Sequence, residues 1–153
     1  MQTALFIGRF QPLHLGHITI LQRLAKKYKL LIAIGSSQEA RTPKNPFTFR
    51  ERARMLRAAC TLLGIKARII ALSDHPDDEH WLDHLITYQF DIAFSGNKRT
   101  LRLLRERGCS VHQIKEVGGV SASHMRRLMH EGKPWQQYVH YSTARMMEGM
   151  KRN

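Results

Sequence analysis

Short apolar runs alternate along this chain with segments whose apolar residues recur at helical spacing. Five such runs are typical of buried strands, and a helical segment follows each of them. Because parallel strands are joined by crossover helices, the alternation predicts an α/β fold: a doubly wound, five-stranded parallel sheet with helices on both faces, plus C-terminal helices. The predicted strands cover residues 4–8, 30–35, 67–72, 92–95 and 110–114.

The helix boundaries follow from capping signals. Thr48, followed three residues later by Glu51, is a capping box that opens a helix, and Gly64 ends it. The other helices are predicted from apolar spacing over residues 17–28, 80–90, 101–107, 123–130 and 134–150.

The length of the chain limits its organisation. With 153 residues it has room for one domain with a real core, so we predict a single domain over residues 1–153. Its longest apolar runs fall far short of the roughly 18 residues of a membrane helix, and its N-terminus lacks a signal-peptide pattern. Cys60 and Cys109 lack metal-site spacing, as is typical of free thiols in a reducing compartment. A cytoplasmic location is therefore expected.

The charge balance indicates the class of partner. The chain has 25 Lys and Arg against 12 Asp and Glu, a net charge of +13, which favours anionic partners. The excess is spread along the chain instead of forming a stripe beside aromatic residues, so nucleic acid is disfavoured. A positive charge of this kind would bind phosphorylated small molecules equally well.

The segment LFIGRFQPLHLGH, residues 5–17, indicates a phosphate site. Gly8 ends the first strand and Pro12 stiffens the connection to the helix. Free N–H groups at a helix start attract anions, and His14 and His17 would add two side-chain donors there, while Gly16 leaves room for a phosphate. The alternative is a pair of incidental loop histidines.

The sequence resembles a known family. HLGH fits the HxGH signature of the nucleotidyltransferase superfamily, and GRFQPLHLGH together with GSSQEARTPKNPFTFRER resembles the archaeal-type nicotinamide-mononucleotide adenylyltransferases. The resemblance implies a single Rossmann-like nucleotidyltransferase domain. It also implies that ATP and nicotinamide mononucleotide react by direct in-line transfer to NAD and pyrophosphate, with Mg²⁺ arriving on ATP.

The resemblance also assigns roles to residues. It implies catalytic roles for His14, His17 and Arg126, the last in the late segment VSASHMRR. Ser123 and Met125 stand where the family more often has Thr and Ile. By the same likeness, ATP would be bound by Gly8, Arg9, Phe10, Gly16, Gly96, Asn97, Ser121 and Ser123, and the acceptor by Asn45, Arg52, Asp74 and Trp81.

Several of these residues also have plain structural interpretations. Ser121, Ser123 and Asn97 could each be an ordinary helix N-cap. Arg126 could belong to a solvated helix face, and Trp81 could be a core aromatic on an amphipathic helix.

An acidic, histidine-containing stretch follows the third predicted strand. His80 and His84 have the i, i+4 spacing that can bind zinc, but the spacing fixes no third ligand. Acidic residues at a helix start are ordinary. We therefore predict no metal held by the protein itself.

Two alternative functions stay open at this stage. The first is a related nucleotidyltransferase with another acceptor, such as nicotinate mononucleotide, phosphopantetheine, FMN or a sugar phosphate. The second is a nucleotide- or nucleic-acid-binding module that lacks turnover. Assembly into a homo-oligomer is expected in addition.

Overall fold

A computed structural model describes residues 1–115 and 119–150 of the chain. The chain forms two compact units, each built from three separate segments. The first unit contains residues 1–9, 24–38 and 66–115; the second contains residues 10–23, 39–65 and the described residues from 119 onward. Each unit therefore depends on contacts between segments that are distant in sequence.

The first unit contains a five-stranded sheet in which all neighbouring strands are parallel. The order across the sheet is β3-β2-β1-β4-β5, so the order reverses at β1, whose Phe6 lies opposite Ile32 on one side and Phe94 on the other. The predicted α/β fold with a doubly wound parallel sheet is confirmed. The strands are β1 (Thr3–Gly8), β2 (Lys29–Gly35), β3 (Ala67–Leu72), β4 (Ile92–Ser95) and β5 (Val111–Gln113).

The core of the first unit lies against one face of this sheet. Successive side chains of a strand point to opposite faces, so alternate residues of each strand meet the same layer. Helices α3 (Asp78–Ile86) and α4 (Lys98–Glu106) supply the apolar residues that pack there. The buried cluster contains Leu5, Leu31, Ala33, Ile70, Leu72 and Ala93 from strands, and Leu82, Leu85, Leu103 and Leu104 from the two helices.

Ion pairs join α3 to α4 and to the turn that follows it. The guanidinium of Arg107 lies 2.7 Å from Glu79 and 2.7 Å from Asp83. Arg99 pairs with Asp78. Asp78, Glu79 and Asp83 are thus ion-paired with basic residues of α4 or of the turn after it.

The second unit is helical. It contains most of α1 (Leu15–Ala25), together with α2 (Phe49–Leu62), α5 (Ala122–His130), a short 3₁₀ helix (Gln136–Tyr138) and α6 (Tyr141–Met150). Helix α2 packs against α6. Both helices bury one face; the buried residues include Met55, Leu56 and Ala59 on α2 and Thr143, Ala144 and Met147 on α6.

The predicted capping box at the start of α2 is confirmed. The Thr48 hydroxyl accepts the N–H of Glu51 at 3.1 Å, and the Glu51 carboxylate accepts the N–H of Thr48 at 2.9 Å. Gly64, at φ 71°, follows the end of the helix in the left-handed conformation that favours glycine.

Three helix starts lie two or three residues before the predicted ones because of the residues that cap them. Helix α4 covers Lys98–Glu106 instead of residues 101–107, because Asn97 caps its start. Helix α1 begins at Leu15 instead of residue 17, since the His14 ring accepts N–H groups of its first turn. Helix α3 covers Asp78–Ile86 instead of residues 80–90, because Asp77 caps its start.

The predicted helix over residues 134–150 is wrong as one element. The chain forms the 3₁₀ helix, becomes extended at Val139 with ψ 160°, and begins α6 at Tyr141. Trp135 and Val139 are both buried, at 2% and 5% exposure. The His140 ring accepts the N–H of Ser142 at 3.2 Å and so favours a new helix start.

Among the described residues, no helix is long and apolar enough to cross a membrane.

Candidate active site

The segment after Gly8 folds into a buried turn. Phe10 is 1% exposed and has a φ of 53°, a left-handed conformation that a bulky residue rarely adopts. Its ring lies 4.8 Å from the ring of His17. Such a conformation persists where the surroundings hold it, and it is often found at functional sites.

His14 and His17 stack within this turn, with ring centroids 3.6 Å apart and planes 20° apart. The Nδ1 atom of His14 accepts the N–H groups of Gly16 at 3.1 Å and of His17 at 3.4 Å. The Nδ1 atom of His17 accepts the N–H of His14 at 3.1 Å. Since an accepting nitrogen carries no proton, each neutral ring holds its proton on Nε2. The turn therefore contains two imidazole N–H donors in fixed orientations.

Both imidazoles are neutral at neutral pH. Burial lowers the pKa of His14 to about 4. Burial, and to a smaller extent the neighbouring His14, lowers the pKa of His17 well below its usual 6.5. Neutral donors can bond phosphate oxygens without the cost of keeping an unpaired cation buried.

The start of α1 differs from the predicted anion site in one respect. The sequence suggested that its free N–H groups would bind the anion directly, but the N–H groups of Gly16 and His17 donate to the His14 ring. Hydrogen bonds in a chain strengthen one another. The N–H groups at the positive end of the helix thus polarise the imidazole of His14, which makes its Nε2–H a stronger donor.

Arg126 connects the late segment to this turn. Its Nη1 atom donates to the carbonyl of Gln11 at 3.0 Å, and its Nη2 atom donates to the Ser123 hydroxyl at 3.3 Å. Gln11 and Arg126 are 115 positions apart in sequence. The structure thus brings the late serine-arginine segment to the histidine turn and does not leave Arg126 on a purely solvated face.

Ser121 and Ser123 occupy different positions at the start of α5. Ser121 is the N-cap, and its hydroxyl accepts the N–H of His124 at 3.2 Å. Ser123 is exposed on the first turn beside Arg126. Ser121 is therefore the N-cap of α5 in this structure, in agreement with the capping interpretation. Residues 116–118, just upstream, lie outside the described residues.

The predicted acceptor residues Asn45 and Arg52 lie in and after the turn that opens α2. Asn45 is 9% exposed, and its Oδ1 atom has no hydrogen-bond partner. Arg52 is fully buried; its Nε donates to the carbonyl of Thr48 at 3.2 Å, and its Nη2 donates to that of Glu39 at 3.3 Å. Arg52 therefore holds backbone carbonyls of the loop that contains Asn45.

Gln11 is a residue of the histidine turn that the sequence analysis did not single out. It is fully buried, and its side-chain amide pairs with both backbone groups of Phe47. No sequence signal marks such a pairing, because it joins two turns that lie 36 positions apart.

The first unit contains the remaining predicted ATP residues. Gly8 ends β1, and Arg9, which follows it, is exposed. Gly96 follows β4 with its backbone close to the carbonyl of Ile114, 3.6 Å from where a Cβ atom would lie. Asn97 caps α4, its side chain accepting the N–H of Thr100 at 3.0 Å, as the capping alternative proposed.

The first unit also contains two predicted acceptor residues. Asp74 pairs twice with Gln38: its carboxylate accepts from Nε2 at 2.9 Å, and its N–H donates to Oε1 at 3.0 Å. These bonds join the segments after β2 and β3. Trp81 lies on α3, partly buried against the hydrophobic cluster, which agrees with the core alternative and leaves the residue partly exposed.

Comparison with known proteins adds independent information. The sequence model of the cytidylyltransferase-like family matches residues 5–146. A nicotinamide-nucleotide adenylyltransferase of Methanolobus tindarius is 39% identical over 144 residues, which cover 91% of this chain and 83% of the relative. One of Archaeoglobus fulgidus is 37% identical over 163 residues, covering 97% of this chain and 94% of the relative.

Solved structures share the fold. A bifunctional NMN adenylyltransferase/ADP ribose pyrophosphatase of Francisella tularensis, complexed with AMP and a Mn ion, matches with a TM-score of 0.76 and 26% identity. The match covers 91% of this chain and 44% of that chain, so this chain spans less than half of the bifunctional enzyme. The NadR protein in complex with NAD and AMP-PNP matches with a TM-score of 0.63 at 19% identity, a similarity of fold alone.

Proposed function

Because the chain belongs to the cytidylyltransferase-like family, we propose that it transfers the adenylyl group of ATP to nicotinamide mononucleotide, forming NAD and pyrophosphate. The observation that carries this proposal is the pair of neutral imidazole donors, His14 and His17, in a turn that also receives Arg126. The relatives that are 33–39% identical over most of the chain are named for the same activity. The protein is thus an enzyme of NAD biosynthesis, a nucleotidyltransferase.

The reaction asks the protein for positioning and for stabilisation of charge. A phosphate oxygen of nicotinamide mononucleotide bonds to the α-phosphorus of ATP while the bond from that phosphorus to the bridging oxygen breaks. The electron pair of the broken bond leaves with pyrophosphate. No covalent enzyme intermediate is needed, so fixed donors around the phosphates supply most of the catalysis.

The histidine turn and α5 fit that requirement. The Nε2–H groups of His14 and His17 would donate to phosphate oxygens whose charge grows in the transition state. Arg126 would add a cationic donor, and Ser123 beside it a hydroxyl. Gly16, Phe10 and Ser121 would contribute through the shape of the turn and the start of α5.

The other residues divide between the two substrates in this proposal. Gly8, Arg9, Gly96 and Asn97 would bind ATP, with glycine at the points where backbone approaches the nucleotide. Asp74, Asn45 and Arg52 would contribute to acceptor binding. Trp81 would place its ring over the nicotinamide cation, an interaction of about 1–2 kcal/mol when water is excluded.

The metal requirement is also part of the proposal. Among the residues that the structure describes, no group of three or more His, Cys, Asp or Glu side chains could hold a metal ion. We propose that Mg²⁺ enters on ATP, bound by phosphates and water. It would neutralise charge on the departing pyrophosphate. A cytoplasmic location, a single domain and assembly into a homo-oligomer complete the proposal.

A panel of acceptors tests the function. The protein is incubated with ATP, Mg²⁺ and either nicotinamide mononucleotide, nicotinate mononucleotide, phosphopantetheine or FMN, while pyrophosphate is followed. Nicotinamide mononucleotide should give the highest kcat/KM, with one NAD formed per pyrophosphate. Pyrophosphate release with only a different acceptor would reassign the substrate, and none with any acceptor would remove the proposed activity.

Trp81→Leu sharpens the assignment of the acceptor. The change should raise the KM for nicotinamide mononucleotide roughly tenfold and leave the KM for ATP nearly unchanged, because only the nicotinamide stacks. Phe90→Leu is the matched control, since Phe90 also packs partly buried against the same cluster. Equal effects of the two changes on the acceptor KM would assign Trp81 to the core alone.

A further inference from the structure

Gln11 is a fully buried polar residue whose side chain binds another turn of the chain. Its Nε2 donates to the carbonyl of Phe47 at 2.9 Å, and its Oε1 accepts the N–H of Phe47 at 2.8 Å. One amide thus satisfies both backbone groups of a residue that is itself 5% exposed. Two parallel hydrogen bonds fix the orientation of the Phe47 peptide as well as its distance from Gln11.

The turn held in this way contains a buried atom that lacks a partner. Asn45, two residues before Phe47, is 9% exposed, and its Oδ1 atom has no hydrogen-bond partner. A buried carbonyl oxygen without a partner is costly and is uncommon in folded proteins. A substrate that donates a hydrogen bond to Asn45 would remove this cost, provided that the turn holds the oxygen in place.

The backbone of Gln11 has a separate connection. Its carbonyl accepts a hydrogen bond from Nη1 of Arg126 at 3.0 Å. Its neighbour Phe10 lies against His17, 4.8 Å between ring centroids. Gln11 therefore binds the Asn45 turn through its side chain and Arg126 through its backbone carbonyl.

We propose that Gln11 is a positioning residue that fixes the Asn45–Thr48 turn, so that binding of the acceptor depends on its side chain and binding of ATP does not. The proposal rests on the proposed function, because it takes Asn45 to bind the acceptor. A change of the side chain removes both bonds to Phe47 and keeps the carbonyl that Arg126 binds.

Gln11→Leu tests the division between the two substrates. The acceptor KM should rise about tenfold or more, and the ATP KM should change less than about threefold, because a displaced turn misplaces only the acceptor residues. A rise of both KM values by the same factor, or of neither, would overturn the proposal.

Gln11→Glu decides the question even where the leucine variant does not fold. A protonated carboxyl offers one donor and one acceptor, as the amide does, whereas a carboxylate faces the Phe47 carbonyl with no proton to donate. The ratio of variant to wild-type acceptor KM should therefore be near one at low pH and should rise as the carboxyl ionises. A ratio that stays constant between about pH 5 and pH 8 would contradict the proposal, because a buried carboxyl titrates near or within that range.

Asn45→Ala and Gln11→Leu together form a double-mutant cycle. If Gln11 acts by placing Asn45, the alanine change should raise the acceptor KM in the wild-type background and add little in the Gln11→Leu background. Full additivity of the two effects would overturn the proposed link between the residues.

Met147→Ala controls for a general loss of stability. Met147 is a buried α6 residue of the same unit, outside the residues proposed to bind substrates. It should leave the ratio of the two KM values as in the wild type.

Hydrogen exchange of the Phe47 amide separates failure of this inference from failure of the proposed function, since it needs no acceptor. Exchange should be faster in Gln11→Leu than in Met147→Ala. Unchanged exchange in Gln11→Leu would overturn the positioning role, whereas faster exchange in a protein that makes no NAD would leave it standing and remove only the acceptor assignment.

Discussion

Two stacked histidine pairs lie beside helix starts in the described part of the chain, and their surroundings differ in burial and in nearby carboxylates. His14 and His17 have ring centroids 3.6 Å apart at the start of α1; His75 and His80 have centroids 4.6 Å apart at the start of α3. In both pairs a ring accepts a backbone N–H: the rings of His14 and His17 do so in the first pair, and His75 accepts that of Asp77 at 3.0 Å in the second. The second pair is exposed and has Asp77 beside it, whose carboxylate lies 3.8 Å from Nδ1 of His80.

The two helix starts also differ in the acidic residues of their first turns. The first turn of α1 contains no acidic residue, whereas α3 begins with Asp78 and Glu79 behind an Asp77 cap. At α3 the chain's own carboxylates satisfy the positive end of the helix. At α1 the N–H groups of Gly16 and His17 donate to the imidazole of His14, which remains neutral. Ring stacking alone therefore does not distinguish the proposed phosphate site from an exposed loop. The first turn of α1, unlike that of α3, contains no carboxylate that would compete with an anion.

Removal of the first pair should have the largest effect. His17→Ala should lower kcat by about 10²-fold to 10³-fold, the usual cost of one donor to a charged transition state. His80→Ala, in the exposed pair, should leave kcat within about twofold. Pyrophosphate release measures both, and far-UV circular dichroism confirms folding. Similar kcat values for the two variants would show that the difference between the two histidine pairs does not affect catalysis.

Arg126 should show the next largest effect. Arg126→Lys keeps the charge but cannot bond the Gln11 carbonyl and Ser123 with the same fork, so kcat/KM for ATP should fall roughly tenfold to a hundredfold. Arg127→Lys is the matched control on the same helix, where the side chain is exposed. Steady-state kinetics at saturating acceptor measures the difference. Equal losses in both variants would show that the helix needs only positive charge.

The pH dependence of stability tests the burial of the first pair without any measurement of catalysis. Because the folded-state pKa of His14 is lowered from 6.5 to about 4, the unfolded chain takes up its proton first as pH falls. The contribution of His14 is complete above pH 6.5 and is lost as pH falls toward about 4, in total about 3 kcal/mol.

Urea unfolding between pH 7 and pH 4.5 measures this loss. The wild type should lose more free energy of unfolding on acidification than His14→Gln, and His75→Gln gives the change expected from removal of an exposed ring. The same slope in wild type and His14→Gln would show that the His14 ring is not buried as a neutral group.

The sequence predicted the strands well because a parallel sheet buries both faces of its strands and so leaves continuous apolar runs. It predicted the start of α2 because Thr48 and Glu51 form a local signal. The starts of α1 and α6 were not predictable in this way, since the rings of His14 and His140 accept N–H groups there and histidine is not a usual capping residue.

The candidate site was predictable in part. The histidine turn follows from local motifs, whereas the meeting of Arg126 with this turn was suggested only by resemblance. The pairing of Gln11 with Phe47 was not predicted at all, because a buried glutamine reveals its partner only in the folded chain. Local sequence motifs therefore predict which side chains are hydrogen-bond donors, whereas their partners depend on long-range contacts that only the folded chain shows.

The most direct test of the account is nitrogen NMR of the histidine rings at pH 7, with and without ATP and Mg²⁺. The account predicts that His14 and His17 are neutral with the proton on Nε2, and that addition of ATP shifts both Nε2 resonances more than those of His75 and His80. Protons on Nδ1 of His14 and His17, charged rings at pH 7, or Nε2 resonances that ATP leaves unmoved would contradict it.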